Sequence, residues 1–166
     1  MKRTIIASAG LALVLIASSG SVEPRQQKQQ QSKSPPGGSQ TMSVEYSSAA
    51  ASANRPFSDV VRVGNMLYLS GKLGTDSSGK LAPGGIGPET KQTMENIKTT
   101  LEKNGSSLDN VVKVTVMLAD IKEWADMNAV YVTFFKKERM PARSAFGTSG
   151  LALNARVEIE CIAAVK

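Results

Sequence analysis

The run Val111-Val112-Lys113-Val114-Thr115-Val116-Met117-Leu118, followed after Ala119 by Asp120-Ile121-Lys122-Glu123, decides the fold. Its first part is β-branched and mostly apolar, which suits a half-buried pleated strand. Asp120 with Glu123 three residues on forms a capping-box-like helix start. A strand therefore hands over to a helix. Beyond it Trp124, Met127, Tyr131, Phe134 and Phe135 recur at three- and four-residue steps, a stripe whose plain reading is core.

Working outward, Met94, Ile97 and Leu101 fall at helical spacing before Gly105, so a first helix ends at Asn104, with Pro88 suited to its first position. The Gly/Pro loop Asp76–Gly87 precedes it. Before that, Val60–Val63 and Met66–Leu73 flank Gly64-Asn65, a two-residue turn that closes a tight hairpin. At the other end Ala142–Phe146 and Arg156–Val165 read as the last two strands, parted by a Gly-containing loop. The order is ββαβαββ. Two helices separated by strands and packed on one face of a mixed sheet make an α+β sandwich, and the sheet's other face then needs cover. Self-association is the economical way to supply it. No internal repeat at a fixed period is present, which excludes a solenoid or propeller.

The N-terminal part reads differently. Lys2 and Arg3 precede an apolar run from Ile5 to Ala17, and Ser18, Ser19, Gly20 and Ser21 follow, the outline of a secretory signal over residues 1–21. The run is too short to span a bilayer, which takes roughly 18 or more residues, so no stable membrane span is expected. Ala17 and Ser19 suit cleavage before Gly20, and Ser21 offers another place to cut. From Val22 to Met42 the chain has six Gln, three Pro and the stretch Ser34-Pro35-Pro36-Gly37-Gly38-Ser39. This composition predicts a disordered spacer. The expectation is a periplasmic or secreted protein whose folded domain occupies residues 43–166.

Charge and residue usage exclude several function classes. The net charge is +6, but Lys2, Arg3, Arg25, Lys28 and Lys33 against Glu23 supply most of it, leaving the folded part nearly balanced. Nucleic acid is not an expected partner. The chain has one cysteine and no histidine, so it has no internal disulfide, no Cys/His metal cluster and no His-based triad. Cys161 lies among Val157, Ile159 and Ala163 at alternate positions and reads as a small buried hydrophobe. Chemistry must come from Arg, Lys, carboxylates, hydroxyls or the backbone.

Two charged groups stand out. Arg143 sits in Pro141-Ala142-Arg143-Ser144-Ala145-Phe146, and Glu158 shares one face of the terminal strand with Glu160. If the last two strands formed a simple hairpin, Arg143 would lie opposite Glu158. An Arg grips a carboxylate through two parallel hydrogen bonds and a neighbouring Glu exchanges protons with water, which fits hydrolysis of an anionic substrate. A cross-strand surface ion pair is the competing reading, and pattern alone leaves both open.

From about Asn54 to Lys166 the chain resembles the RidA/YjgF family. The resemblance rests on an ordered set: Pro56-Phe57, Gly64-Asn65, Leu69-Ser70-Gly71, Asn96, Val111–Val116, Asn128-Ala129-Val130-Tyr131, Phe134-Phe135, Pro141-Ala142-Arg143-Ser144 and Glu158-Ile159-Glu160. It implies a chorismate-mutase-like fold, a homotrimer and sites in the clefts between subunits. It also implies hydrolysis of 2-imino or 2-enamino acids to keto acids and ammonia, with no metal or organic cofactor.

Position by position, the resemblance places the carboxylate-binding Arg on Arg143 and the water-orienting acid on Glu158. It puts substrate contacts at Phe57, Ser70, Gly71, Asn128 and the backbone of Ala145. The chain departs from the family in four places. Phe57 replaces a common Tyr, Ala145 a common Cys, Lys72 a common Gln, and Leu151-Ala152 the usual Leu-Pro. Lys72 reads as a solvated strand-end charge, and Glu160 as a partner for a basic side chain. A module that binds a small carboxylate without turnover is the alternative from another class, and RNA cleavage a third reading.

Overall fold

The computed structural model describes residues 42–49 and 54–165; the expected signal segment and all of the expected spacer but Met42 lie outside them. The strands are β1 (Val44–Ser47), β2 (Val60–Val63), β3 (Met66–Leu69), β4 (Lys72–Leu73), β5 (Val111–Leu118), β6 (Ala142–Gly147) and β7 (Val157–Ala164). The α-helices are α1 (Ile86–Lys103) and α2 (Trp124–Tyr131). One mixed sheet runs in the order β1-β2-β3-β7-β5-β6, with β4 also paired to β7. Both helices lie against one face, as expected of the α+β class.

The alternation in β7 decides which face is core. Val157, Ile159, Cys161 and Ala163 are buried, and β5 sets Val114, Val116 and Leu118 beside them. Met94, Ile97 and Leu101 of α1 and Met127 and Tyr131 of α2 close over that layer. Each such large side chain contributes about 1.5–3 kcal/mol relative to exposure. Cys161 packs in this layer, and burial pushes its thiol up to about 12, so it is no nucleophile at neutral pH.

Four expectations are corrected. The chain enters α1 at Ile86, so Pro88 stands at the third helical position rather than the first. That position is equally tolerant, because the N–H it lacks has no intrahelical acceptor there. The strand expected over Met66–Leu73 is broken at Ser70-Gly71, and both pieces pair with β7. Asp120 does cap the turn at Lys122 N, but Glu123 does not close a box; its carboxylate pairs with Arg156 instead.

The fourth correction concerns β6 and β7, which do not pair. β5, α2 and β6 form a strand–helix–strand crossover, which brings β6 back parallel to β5. β5 therefore lies between β6 and β7, with Val114 paired to Arg143 on one side and to Cys161 on the other. The fold also has a strand the periodicity did not show: β1, whose four residues are all exposed, pairs only with β2.

Candidate active site

Arg143 lies on the core face of β6 and reaches α2, where Trp124, Asn128 and Tyr131 succeed one another at steps of four and three and so share one face. Its Nη1 donates to Asn128 Oδ1 at 2.8 Å. The guanidinium carbon sits 4.5 Å from the Tyr131 ring centroid and 5.5 Å from that of Trp124. Two rings and an amide thus hold the guanidinium. Burial pushes the Tyr131 phenol up to about 12, although the Arg143 charge pulls the other way, so the ring stays neutral. Ala145 is half-buried two residues along the same face, opposite Val116.

Glu158 belongs to a second group. Its register partners are Leu73 on β4 and Met117 on β5. Burial first, then the neighbouring Glu160, raises its carboxyl above the ordinary glutamate value, which makes it a better base than an exposed glutamate. Gly71 exists for it: a β-carbon there would come within 1.9 Å of Glu158 Oε1. Ser70 Oγ donates to Ser58 O at 2.7 Å, so its proton is committed to the backbone. Phe57 is 49% exposed, an apolar surface beside Arg55.

Register puts these two groups apart. Residues paired across strands share a face, so Arg143 stands with Val114 and Cys161 under the helices, whereas Glu158 stands with Met117 and Phe146 on the open face. The surface ion pair that competed for Arg143 and Glu158 is thereby ruled out within one chain, and so is a pocket formed by both in one chain. Glu160 lies on the open face too, around a cavity with Tyr68, Lys113, Thr115 and Ile162. None of the four ion pairs of the described residues includes Glu160.

Lys72 is corrected as well: its ammonium is 2.7 Å from Asp59 Oδ1, and the side chain is largely buried. The cause is its register opposite Ile159, which turns it toward the core side. Sequence reasoning missed Asp59 and the part of Trp124 in holding Arg143. The stripe spacing did place Trp124 on one face with Tyr131, but as core, whereas Trp124 is exposed and faces Arg143; nothing in the pattern marked Asp59.

Fold and site define a class: a two-layer α+β protein with an aromatic-held arginine on its helical side and a basic carboxylate on its open side. Residues 47–165 match the family model described as Endoribonuclease L-PSP. A 2-iminobutanoate/2-iminopropanoate deaminase of Mus musculus is 42% identical over 118 residues, 70% of this chain and 87% of that protein. The one of Homo sapiens is 40% identical over 70% of this chain and 85% of its own. The crystal structure of RidA from an Antarctic Psychrobacter superposes with a TM-score of 0.64 at 36% identity, covering 76% of this chain and 99% of that one. The chain belongs to the RidA/YjgF family.

Proposed function

We propose that the protein hydrolyses 2-imino and 2-enamino acids to 2-keto acids and ammonia, in a site completed between copies of a homotrimer. One observation carries this reading: Arg143 and Glu158, each with the chemistry the reaction needs, face opposite sides of one sheet. A substrate touching both lies between two chains. The relatives named as imine deaminases support the reaction type.

Arg143 holds the substrate carboxylate through the edge of its fork not taken by Asn128, with the Ala145 backbone alongside. An enamine tautomerises to the imine, whose C=N carbon is already electrophilic. Glu158 takes a proton from water as the oxygen attacks that carbon and passes it to the nitrogen, giving the carbinolamine. The carbinolamine hydroxyl then gives its own proton through Glu158 to the nitrogen as the C=O forms, so ammonia leaves and the keto acid remains. Phe57 walls the cleft, and orientation by the paired half-sites supplies the rest of the rate. The test is to generate 2-iminopropanoate with an amino-acid oxidase and follow its decay and ammonia release with and without the protein.

A second reading, binding of a small carboxylate without turnover, is favoured by one observation: Phe57 brings no hydroxyl to the cleft. Ligand binding with no acceleration of imine decay would establish it. We further propose that the protein is exported, on the strength of Lys2, Arg3 and the apolar run from Ile5 to Ala17. N-terminal sequencing of the mature protein tests that directly.

A further inference from the structure

Asp59 is 7% exposed and has no part in the chemistry above. Its carboxylate reaches three segments: Oδ1 accepts from Lys72 Nζ at 2.7 Å, Oδ2 accepts from Ala49 N at 2.9 Å, and Arg55 Nη1 stands 3.9 Å from Oδ1. Its backbone carbonyl accepts from Ser70 N at 3.1 Å. These partners border the Glu158 group. Lys72 follows Gly71, the residue that makes room for Glu158. Arg55 lies with its guanidinium 5.9 Å from the Phe57 ring centroid. Ser70 is bound to Asp59 and Ser58 directly.

We infer that Asp59 is the positioning residue of the Glu158 half-site, setting Gly71 through Lys72, Phe57 through Arg55, and Ser70 through its backbone. This rests on the reading of that half-site as the place where water is activated. The Lys72 and Asp59 side chains are 15% and 10% exposed; among the described residues the ion pair of Lys72 is with Asp59, whereas Asp59 also has Arg55 and the Ala49 N–H. Removing the Asp59 charge strands the Lys72 ammonium, which must then move toward water, whereas Asp59 keeps Arg55 and Ala49 when Lys72 is replaced. Lys72 is held by this pair in the two-residue strand next to Gly71, so releasing it loosens the backbone that sets the space around Glu158. Arg143 is on the other face with its own supports, so the grip on the substrate carboxylate is untouched.

The experiment compares Asp59→Asn, Lys72→Gln and the double variant in the full chain, using 2-iminopropanoate generated in place and hydrogen exchange of residues 70–73 without substrate. Asp59→Asn should lower kcat by about tenfold to a hundredfold, the scale of small misplacements, with KM within about twofold, and Lys72→Gln should lower it less. Exchange at 70–73 should quicken. The double removes the stranded ammonium and should recover most of the Asp59→Asn loss. Unchanged kcat or exchange in Asp59→Asn, or a double whose losses simply multiply, overturns the proposal. If a single variant does not fold, Asp59→Glu replaces it, since it keeps the charge but displaces it; the same kcat loss at constant KM is expected, and wild-type kcat overturns. Absence of ammonia release from the wild type would defeat the functional reading alone, and the exchange comparison would still decide the positioning role.

Discussion

Gly71 and Glu158 occupy each other's space: a β-carbon on Gly71 would lie 1.9 Å from Glu158 Oε1 and 2.8 Å from its carboxyl carbon. The strand break at Ser70-Gly71 is what brings this backbone against the carboxylate.

Gly71→Ala should therefore act on turnover before it acts on the fold. The clashing group is the end of a side chain, so Glu158 can swing away at modest cost in stability, but it then leaves the position proposed for activating water. Loss of general-base catalysis is worth roughly 10²–10⁴ in rate. Steady-state rates with 2-iminopropanoate should fall by that order, with a cooperative melting transition retained. Wild-type rates would show that Glu158 need not occupy its present position.

Arg143→Ala should abolish hydrolysis with little loss of fold, because the side chain is only half-buried at a sheet edge. Each charge-assisted hydrogen bond to the substrate carboxylate is worth about 1.5–3 kcal/mol, so losing two lowers kcat/KM by on the order of 10²–10⁴. Lys should not rescue, because an ammonium lacks the planar fork that Trp124 and Tyr131 stack against. Asn128→Ala should give a milder loss, expressed in KM, since it loosens the guanidinium without removing it. Unchanged rates in Arg143→Ala would remove that residue from the site.

The open face carries Tyr68 at 44% exposure and Phe146 at 48%, with Met117 and Ile162 near them on the same side. Light scattering should give a mass of three chains at micromolar concentration. Tyr68→Glu should lower that mass and take activity with it, because a charge buried between copies costs more than the contact returns. A monomeric wild type would sink both the trimer and the site shared between chains.

How much of this was legible in the sequence follows from the range of the signals. The Gly64-Asn65 hairpin, both helices and the buried alternation of β7 are local patterns, and each was readable. The side-by-side placement of β6 and β7 was not, because a loop between two strands does not say whether they pair, and the crossover through α2 inserts β5 between them. Arg143 and Glu158 were singled out from the sequence, and the fold gives each specific surroundings: Asn128 and two rings about Arg143, and the space left by Gly71 for Glu158. Their opposite faces were hidden by the same unknown pairing. The Asp59–Lys72 ion pair joins residues thirteen apart across a strand break, and no periodicity marks such a contact.

Glu158 and Glu160 share a strand face yet should differ in role. The carboxyl of Glu158 is raised by burial and by the Glu160 charge, whereas Glu160 is exposed. Glu158→Gln keeps the shape and removes the base, so turnover should be lost while carboxylate binding at Arg143 remains. Glu160→Gln should keep turnover, but the acid limb of the pH–rate profile should move to lower pH, because a negative neighbour that disfavoured ionisation is gone. Stability gives an independent check. A carboxyl whose folded pKa is above its unfolded value binds more protons in the native state, so its contribution favours the fold at low pH and is lost as pH rises through the raised value. Glu158→Gln should accordingly melt higher than wild type at neutral pH, with the gain vanishing in acid. Equal rates for the two Gln variants, with no movement of the acid limb in Glu160→Gln, would leave Glu158 without a catalytic role and make carboxylate binding without turnover the better account.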